Sequence, residues 1–213
     1  MTREQYLRDY VKGAFRQFVG GSWARRYDEL RELLLRRDPS SYRDWDIIKK
    51  NMLVTSVERV LARQYDLCAP MPTNIFEFGP GLMNHNVWAT RHYVYDAPEM
   101  IALQRYLVGS LATYTTDIAT FLSLMKDNSH CPTAFIATWS LSECPVSIRD
   151  IVLAEAVMDC DTILLAYQKT FDFIDNVAYF GDLVAKHYEF DWKVHSASPL
   201  DGHYLVGRRN RWT

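Results

Sequence analysis

The chain has 213 residues, 24 of them Lys or Arg and 26 Asp or Glu, and this formal net charge of -2 excludes an electrostatic attraction to nucleic acid or an anionic membrane. Hydrophobic residues make up 48% of the sequence, enough for one compact core with a small addition. No apolar run reaches the ~18 residues of a membrane span, and the first residues lack the apolar segment of a signal peptide, so we predict a cytoplasmic protein. The cysteines lack metal-ligand spacing, so we predict no bound metal.

The first third of the chain has apolar side chains at helical spacing. Breaks fall at Gly20-Gly21 and at residues 38–41. We predict a helical cap or lid over residues 1–72 that contributes to substrate binding. Packing of these helices on the core, or on a second subunit in a homodimer, is an equally good interpretation.

Residues 73–213 alternate between short apolar strands and amphipathic helices. This alternation predicts an α/β domain with a doubly wound, mostly parallel sheet, of the Rossmann-like type. The last two strands have no helix between them, so we expect an antiparallel pair at the sheet edge. The predicted strands are Asn74–Phe78, Tyr93–Asp96, Ala112–Thr115, Thr133–Thr138, Thr162–Tyr167, Phe190–His195 and His203–Arg208, and the predicted helices are Pro98–Val108, Ile118–Met125, Val146–Met158 and Phe173–His187.

A glycine turn directly after the first strand is the sharpest feature of the sequence. The strand ends with Glu77 and Phe78, and Gly79, Pro80 and Gly81 form the turn. Glycines at this place let the backbone approach a ligand at the carboxyl end of the strand. A dinucleotide site favours a third glycine three residues later, where this chain has asparagine. The acid before the glycines instead suits a ligand with a cationic amino group, such as the methionine part of S-adenosylmethionine (SAM), bound directly or through an ordered loop and water.

Acids also follow the next two strands. Asp96 lies 19 residues after Glu77, close to the spacing of about 20 at which an acid binds the ribose hydroxyls of a nucleotide; Ala97 follows it. Thr116 and Asp117 follow the third strand, on the adenine side. Asp117 either accepts a hydrogen bond from the adenine amine or caps the next helix, and both roles can hold together.

The segment from Glu77 to Gly81 resembles motif I of the class I SAM-dependent methyltransferases, which reads acid-x-Gly-x-Gly-x-Gly. The chain departs from it at the last position, where Met83 replaces glycine. Asp96 resembles the ribose-binding acid of motif II. This resemblance implies SAM as the cofactor.

Two segments also resemble the sugar O-methyltransferase family. They are Tyr95–Tyr106 and Thr138–Pro145, the latter with the sequence Thr-Trp-Ser-Leu-Ser-Glu-Cys-Pro. The resemblance implies a hydroxyl of a sugar or glycosylated small molecule as the methyl acceptor. Thr138, Trp139 and Ser140 are candidates for cofactor binding at the end of the fourth strand.

Glu143 is the first candidate for a general base near the acceptor, because it follows the fourth strand and a hydroxyl nucleophile has a high pKa. A loop-ordering carboxylate is an equally good interpretation. His85, shortly after the glycine turn, is a second catalytic candidate, although a lone loop histidine is more often solvated.

The sequence therefore predicts an enzyme, a SAM-dependent methyltransferase acting on a hydroxyl of a sugar or small natural product. A SAM-binding pseudoenzyme that serves as a partner subunit is the alternative from another class. A nicotinamide-dependent reductase is a third interpretation, against which the missing glycine and Glu77 argue. The choice between oxygen and nitrogen as the methyl target stays open.

Overall fold

The structure is a computed structural model. It describes residues 63–70, 72–80, 85, 91–98, 101, 104–105, 112–197 and 202–210. The helical cap predicted over residues 1–72 lies almost entirely outside them and stays a prediction. Among the described residues, none of the helices combines the length and the apolar character needed to cross a bilayer.

A sheet of seven strands forms the centre of the described domain, in the order β3-β2-β1-β4-β5-β9-β8. The first five strands in the chain run parallel. The last two run antiparallel to their neighbours. The prediction of a mostly parallel sheet with an antiparallel edge pair is confirmed. The strands are β1 Asn74–Phe78, β2 Arg91–Tyr95, β3 Thr113–Thr115, β4 Thr133–Thr138, β5 Thr162–Tyr167, β8 Phe190–Ser196 and β9 His203–Arg209.

The central strands are continuously apolar because both of their faces are covered. All residues of β1 and β5 are buried, as expected for parallel strands between two layers. The edge strand β8 instead alternates between exposed and more buried residues. Its exposed positions include Asp191 and Lys193, which form an ion pair of 3.1 Å, and charged side chains protect an edge from pairing with another strand.

Within the described part of the chain, three α-helices connect strands of the sheet: α1 Ile118–Asp127, α2 Val146–Asp159 and α3 Asn176–Lys186. Helix α2 buries an apolar stripe comprising Val152, Leu153, Ala156 and Val157, whose spacing of one, three and four residues is that of one helix face. A short 3₁₀ helix, Leu141–Glu143, follows β4.

The predicted helix Phe173–His187 is wrong in its first three residues. A small hairpin of β6 Thr170–Phe171 and β7 Ile174–Asp175 precedes α3. Asp172 adopts a φ of 50° at the tip, a conformation that aspartate tolerates in turns. Asp175 then accepts a hydrogen bond from the Ala178 amide at 3.0 Å, and this cap starts the helix at Asn176.

Candidate functional site

The strand order reverses between β1 and β4. The chain proceeds from β1 to β2 and β3 on one side and continues with β4 and β5 on the other. The connections that leave the carboxyl ends of β1 and β4 therefore diverge. In open α/β sheets, the crevice at such a reversal is where ligands bind.

Gly79 begins the turn after β1 and has no room for a side chain. Its φ is 61°, and a β-carbon built on it would lie 2.9 Å from Ser140 Oγ and closer still to Ser140 Cβ. The Gly79 amide donates to the Tyr95 carbonyl at 2.8 Å, and the Ser140 hydroxyl donates to the Phe78 carbonyl. These contacts lock the ends of β1 and β2 and the segment after β4 together, with Pro80 buried beside them.

Glu77 lies just below this turn with its carboxylate completely buried. One oxygen contacts His85 Nδ1, and the other accepts from His92 Nε2 at 2.9 Å. Gln64 Oε1 lies 2.8 Å from His85 Nε2. Burial opposes the charged form of Glu77, but the charge of His85 and the hydrogen bonds from both histidines outweigh it and lower the pKa of Glu77 to about 2. Glu77 is therefore an ionised carboxylate behind the turn.

The acid at the end of β2 is held in a fixed orientation. Asp96 Oδ1 accepts from the Ala97 amide at 2.8 Å, and Oδ2 accepts from Gln104 Nε2 at 2.7 Å. Gln104 is completely buried, whereas Asp96 is half-buried and Ala97 is exposed. The carboxylate therefore stands where β2 ends, in the place expected for a ribose-binding acid, and that role stays a prediction.

Asp117 caps α1. Its Oδ2 accepts from the Thr120 amide at 3.0 Å and from the Thr120 hydroxyl at 2.6 Å. These hydrogen bonds lower the pKa of Asp117. The capping role is confirmed, and the contact with adenine predicted for Asp117 and the exposed Thr116 stays a prediction.

Trp139, at the end of β4, turns its ring away from β2. Its φ of 72° is unusual for a residue with a β-carbon. Its amide donates to the Ala166 carbonyl at 2.7 Å, and a β-carbon built on Gly202 would lie 2.7 Å from its ring. The ring therefore spans the carboxyl end of β5 towards β9, while Ser140 contacts the glycine turn. Thr138 is the last, partly buried residue of β4.

Glu143 ends the 3₁₀ helix and is exposed. Gln168 Nε2 donates to Glu143 Oε1 at 3.5 Å, and Gln168 Oε1 accepts from the Ser142 hydroxyl at 2.9 Å. Partial burial raises the pKa of Glu143, against the smaller lowering effect of the Gln168 hydrogen bond. This direction brings a carboxylate closer to the proton affinity that a general base needs near neutral pH.

A buried arginine supports this segment from below. Arg149 is completely buried and donates to the Cys144 carbonyl at 2.7 Å, the Ser142 carbonyl at 2.5 Å and Asn176 Oδ1 at 2.6 Å. Asn176 Nδ2 in turn donates to the Gln168 carbonyl at 2.9 Å. Because guanidinium donors satisfy carbonyls that would otherwise be orphaned, they fix the shape of the segment from Ser142 to Cys144.

His85 is buried beside Glu77, and the catalytic role predicted for it stays a prediction. It is 3% exposed, and both ring nitrogens face Glu77 and Gln64. Within the described ranges, no three potential ligands are arranged to hold a metal ion.

Sequence reasoning missed three residues of this site: His92, Gln168 and Arg149. For Arg149, a basic residue among the apolar positions of α2 was a signal, since charged residues are buried only when hydrogen-bonded. No local pattern marks His92 or Gln168, because their partners lie at other strand ends.

No protein-family profile and no curated protein matches the sequence of this chain. Its fold does match solved structures. Magnesium protoporphyrin IX methyltransferase from Synechocystis PCC 6803, solved with bound SAM, aligns over 99% of this chain and 98% of its own, with 13% identity and a TM-score of 0.51.

Two further structures give a similar result. The N-terminal domain of EvdMO1, solved with S-adenosylhomocysteine (SAH) and D-fucose, aligns over 73% of this chain and 85% of its own, with 14% identity and a TM-score of 0.51. A proposed O-methyltransferase from Nostoc punctiforme PCC 73102 aligns over 71% of this chain with 9% identity and a TM-score of 0.51, and the alignment spans only 56% of that protein's length. The chain therefore has the fold of the class I SAM-dependent methyltransferases.

Proposed function

We propose that the chain is a SAM-dependent methyltransferase whose acceptor is a hydroxyl group of a sugar or another small molecule. The observation that carries the proposal is the locked turn at the strand reversal. Gly79 adopts a left-handed φ of 61° against Ser140, and β2 presents Asp96 beside it in a fixed orientation.

The residues at this edge fit SAM chemically. For the methionine end we propose the turn that begins at Gly79, where the missing side chain lets a ligand approach the backbone, and for the ribose hydroxyls we propose Asp96 with Ala97. For the adenine we propose Thr116 and Asp117. Thr138, Trp139 and Ser140 complete the proposed cofactor site, and Glu77 acts from behind the turn.

SAM, when bound, supplies a methyl group on a sulfonium, so transfer to oxygen breaks the methyl–sulfur bond and leaves neutral SAH. The protein has to align the acceptor and remove its proton. Glu143 is the proposed base, because its carboxylate is accessible, has a raised pKa, and is held by Gln168. Glu143 would accept a hydrogen bond from the acceptor hydroxyl and would take up its proton on a carboxylate oxygen as the methyl group is transferred.

A saccharide is the acceptor class we favour. The segment Thr138–Pro145 resembles that of sugar O-methyltransferases, and EvdMO1, which has a similar fold, was solved with D-fucose. Trp139 at the end of β4 supports this choice, since aromatic rings pack against the apolar faces of small ligands.

Calorimetric titration tests the cofactor first, with SAM, SAH and NADH as ligands. We expect binding of SAM and SAH, no binding of NADH, and roughly 10- to 100-fold weaker SAH binding by Asp96→Ala, the range for lost hydrogen bonds to a charged group. Asp191→Ala, an exposed acid on the edge strand β8, is the matched control and should bind as the wild type does. SAH binding unchanged in Asp96→Ala would contradict the assigned site.

The acceptor is tested next with labelled SAM and a panel of glycosylated compounds. Loss of the base is expected to lower kcat by roughly 10²- to 10⁴-fold in Glu143→Gln. Tight SAH binding without methyl transfer to any acceptor, together with a stable protein partner, would favour the pseudoenzyme.

A further inference from the structure

We propose that His85 and His92 are positioning residues for the cofactor, because their hydrogen bonds to the two oxygens of buried Glu77 hold the glycine turn in its SAM-binding arrangement. The inference rests on the proposed function, since it assigns the control of SAM affinity to residues behind the turn.

We call the hydrogen-bonded group of Gln64, Glu77, His85 and His92 the bridge. The partners of Glu77 in it come from three parts of the chain that are distant in sequence. Gln64 lies in the helical segment before β1, His85 follows the glycine turn, and His92 is the second residue of β2. All three residues, and Glu77 between them, are at most 3% exposed. Hydrogen bonds that are shielded from water are stronger than exposed ones, and the loss of one leaves a buried polar atom without a partner, which destabilises the fold.

Two described residues, one at the start of the turn and one that follows it in the chain, are fixed by hydrogen bonds or close contacts. Gly79 is fixed by the Tyr95 carbonyl and by contact with Ser140. His85, six residues further along the chain, is fixed by Glu77 and Gln64. A loop whose ends are anchored has fewer conformations to lose when it binds a ligand, and this raises its affinity.

Each histidine contacts a different oxygen of Glu77. His85 Nδ1 lies against Oε1, and the other ring nitrogen of His85 lies 2.8 Å from Gln64 Oε1. His92 Nε2 donates to Oε2 at 2.9 Å. Within the described residues, the buried Nδ1 of His92 has no hydrogen-bond partner.

The test compares SAH affinity by calorimetry in His85→Leu, His92→Leu and Glu77→Gln. We expect roughly 10- to 100-fold weaker SAH binding in both leucine variants, the range found when groups that orient ligand-binding residues are removed at metal sites. Glu77→Gln should weaken SAH binding as well, because the amide oxygen can accept from one histidine while the NH₂ group faces the other.

His187→Leu is the matched control. It removes another histidine–glutamate contact, of 2.9 Å to Glu189, at the opposite edge of the sheet where α3 ends. Its SAH affinity should equal that of the wild type. All titrations are made at a temperature at which thermal unfolding curves show every variant folded, so that a change in affinity is separate from a change in stability.

A measurement on the wild type covers the case in which a leucine variant does not fold. If the bridge favours SAH binding, SAH binding must stabilise the bridge by the same factor. The solvent exchange of the His92 Nε2 proton, followed by NMR of ¹⁵N-labelled imidazoles, should therefore slow when SAH saturates the protein.

The outcomes separate this inference from the proposed function. SAH binding that is lost in Asp96→Ala but unchanged in the folded leucine variants would overturn the positioning role alone. An exchange rate of the His92 proton that SAH does not affect would do the same. Failure of the wild type to bind SAH would overturn both proposals.

Discussion

Replacing Gly79 with alanine should destabilise the protein through two separate effects. A left-handed backbone costs a residue with a β-carbon about 1–2 kcal/mol, and the φ of Gly79 is 61°. The new β-carbon would also overlap Ser140, and overpacking costs about 1–3 kcal/mol. We therefore expect Gly79→Ala to lower the free energy of unfolding by about 2–5 kcal/mol, measured by urea denaturation.

A second substitution separates the two effects. In Ser140→Gly the overlapping β-carbon and hydroxyl are absent, so Gly79→Ala made in that background should cost only the backbone term. The double-mutant cycle should give a favourable coupling of about 1–3 kcal/mol. The control is Gly181→Ala in α3, where a β-carbon meets nothing within 4 Å; it should stabilise the protein by about 0.5–1 kcal/mol.

The reasoning would be refuted if Gly79→Ala cost less than about 1 kcal/mol, or if its cost were the same with and without Ser140. The first result would mean that the turn relaxes without penalty. The second would mean that the contact with the segment after β4 does not constrain it.

Three further predictions concern Asp117, Glu77 and Arg149. Asp117→Ala and Asp175→Ala each remove a helix cap, and each should lower the free energy of unfolding in urea by about 1 kcal/mol. If Asp117 contacts adenine, only Asp117→Ala will also weaken SAH binding. Equal SAH affinities of the two variants would assign Asp117 to capping alone. The pKa of Glu77 falls from 4.5 to about 2 on folding, so its contribution to stability is fully present above pH 4.5 and is lost as the pH falls towards 2. Across that range, the free energy of unfolding of the wild type should change with pH by up to the equivalent of one bound proton, and Glu77→Gln should lack this contribution. An identical pH dependence in the variant would contradict the lowered pKa. Arg149→Met leaves three oxygens without their hydrogen-bond donors, and each costs about 1–3 kcal/mol. Part of this cost is offset because the variant no longer buries a guanidinium group, so we expect the free energy of unfolding to fall by roughly 3 kcal/mol. An unchanged free energy of unfolding would show that the segment after β4 keeps its conformation without Arg149.

The strand pattern of the α/β domain could be predicted because it depends on local burial. The apolar runs Asn74–Phe78, Thr133–Thr138 and Thr162–Tyr167 are strands with the predicted bounds. The predicted start of α3 is wrong because Phe173 and Ile174 continue the helical spacing of apolar residues. The hairpin that replaces the first three predicted residues depends on pairing between Thr170–Phe171 and Ile174–Asp175, and the spacing of apolar residues does not indicate such pairing.

The candidate site was predictable to the extent that strand ends mark it. The positions of Gly79 and Asp96 follow from the order of the strands, since parallel strands bring their carboxyl ends to one edge. The environment of Glu77 did not follow, because His85 and His92 are 8 and 15 residues away from it along the chain. From the sequence, His85 is therefore either a catalytic candidate or a lone loop histidine, and its contact with Glu77 is not predicted.

The sequence by itself determined the alternation of strands and helices, the glycine turn, the acid near the end of β1 and the acids that follow β2 and β3, because each depends on residues close together in the chain. Only the tertiary structure decided that Ser140 closes the space beside Gly79, that Arg149 supports the segment carrying Glu143, and that two histidines hold Glu77 ionised. These contacts join residues from different strands, helices and loops, and it is the packing of the sheet and helices that brings them together.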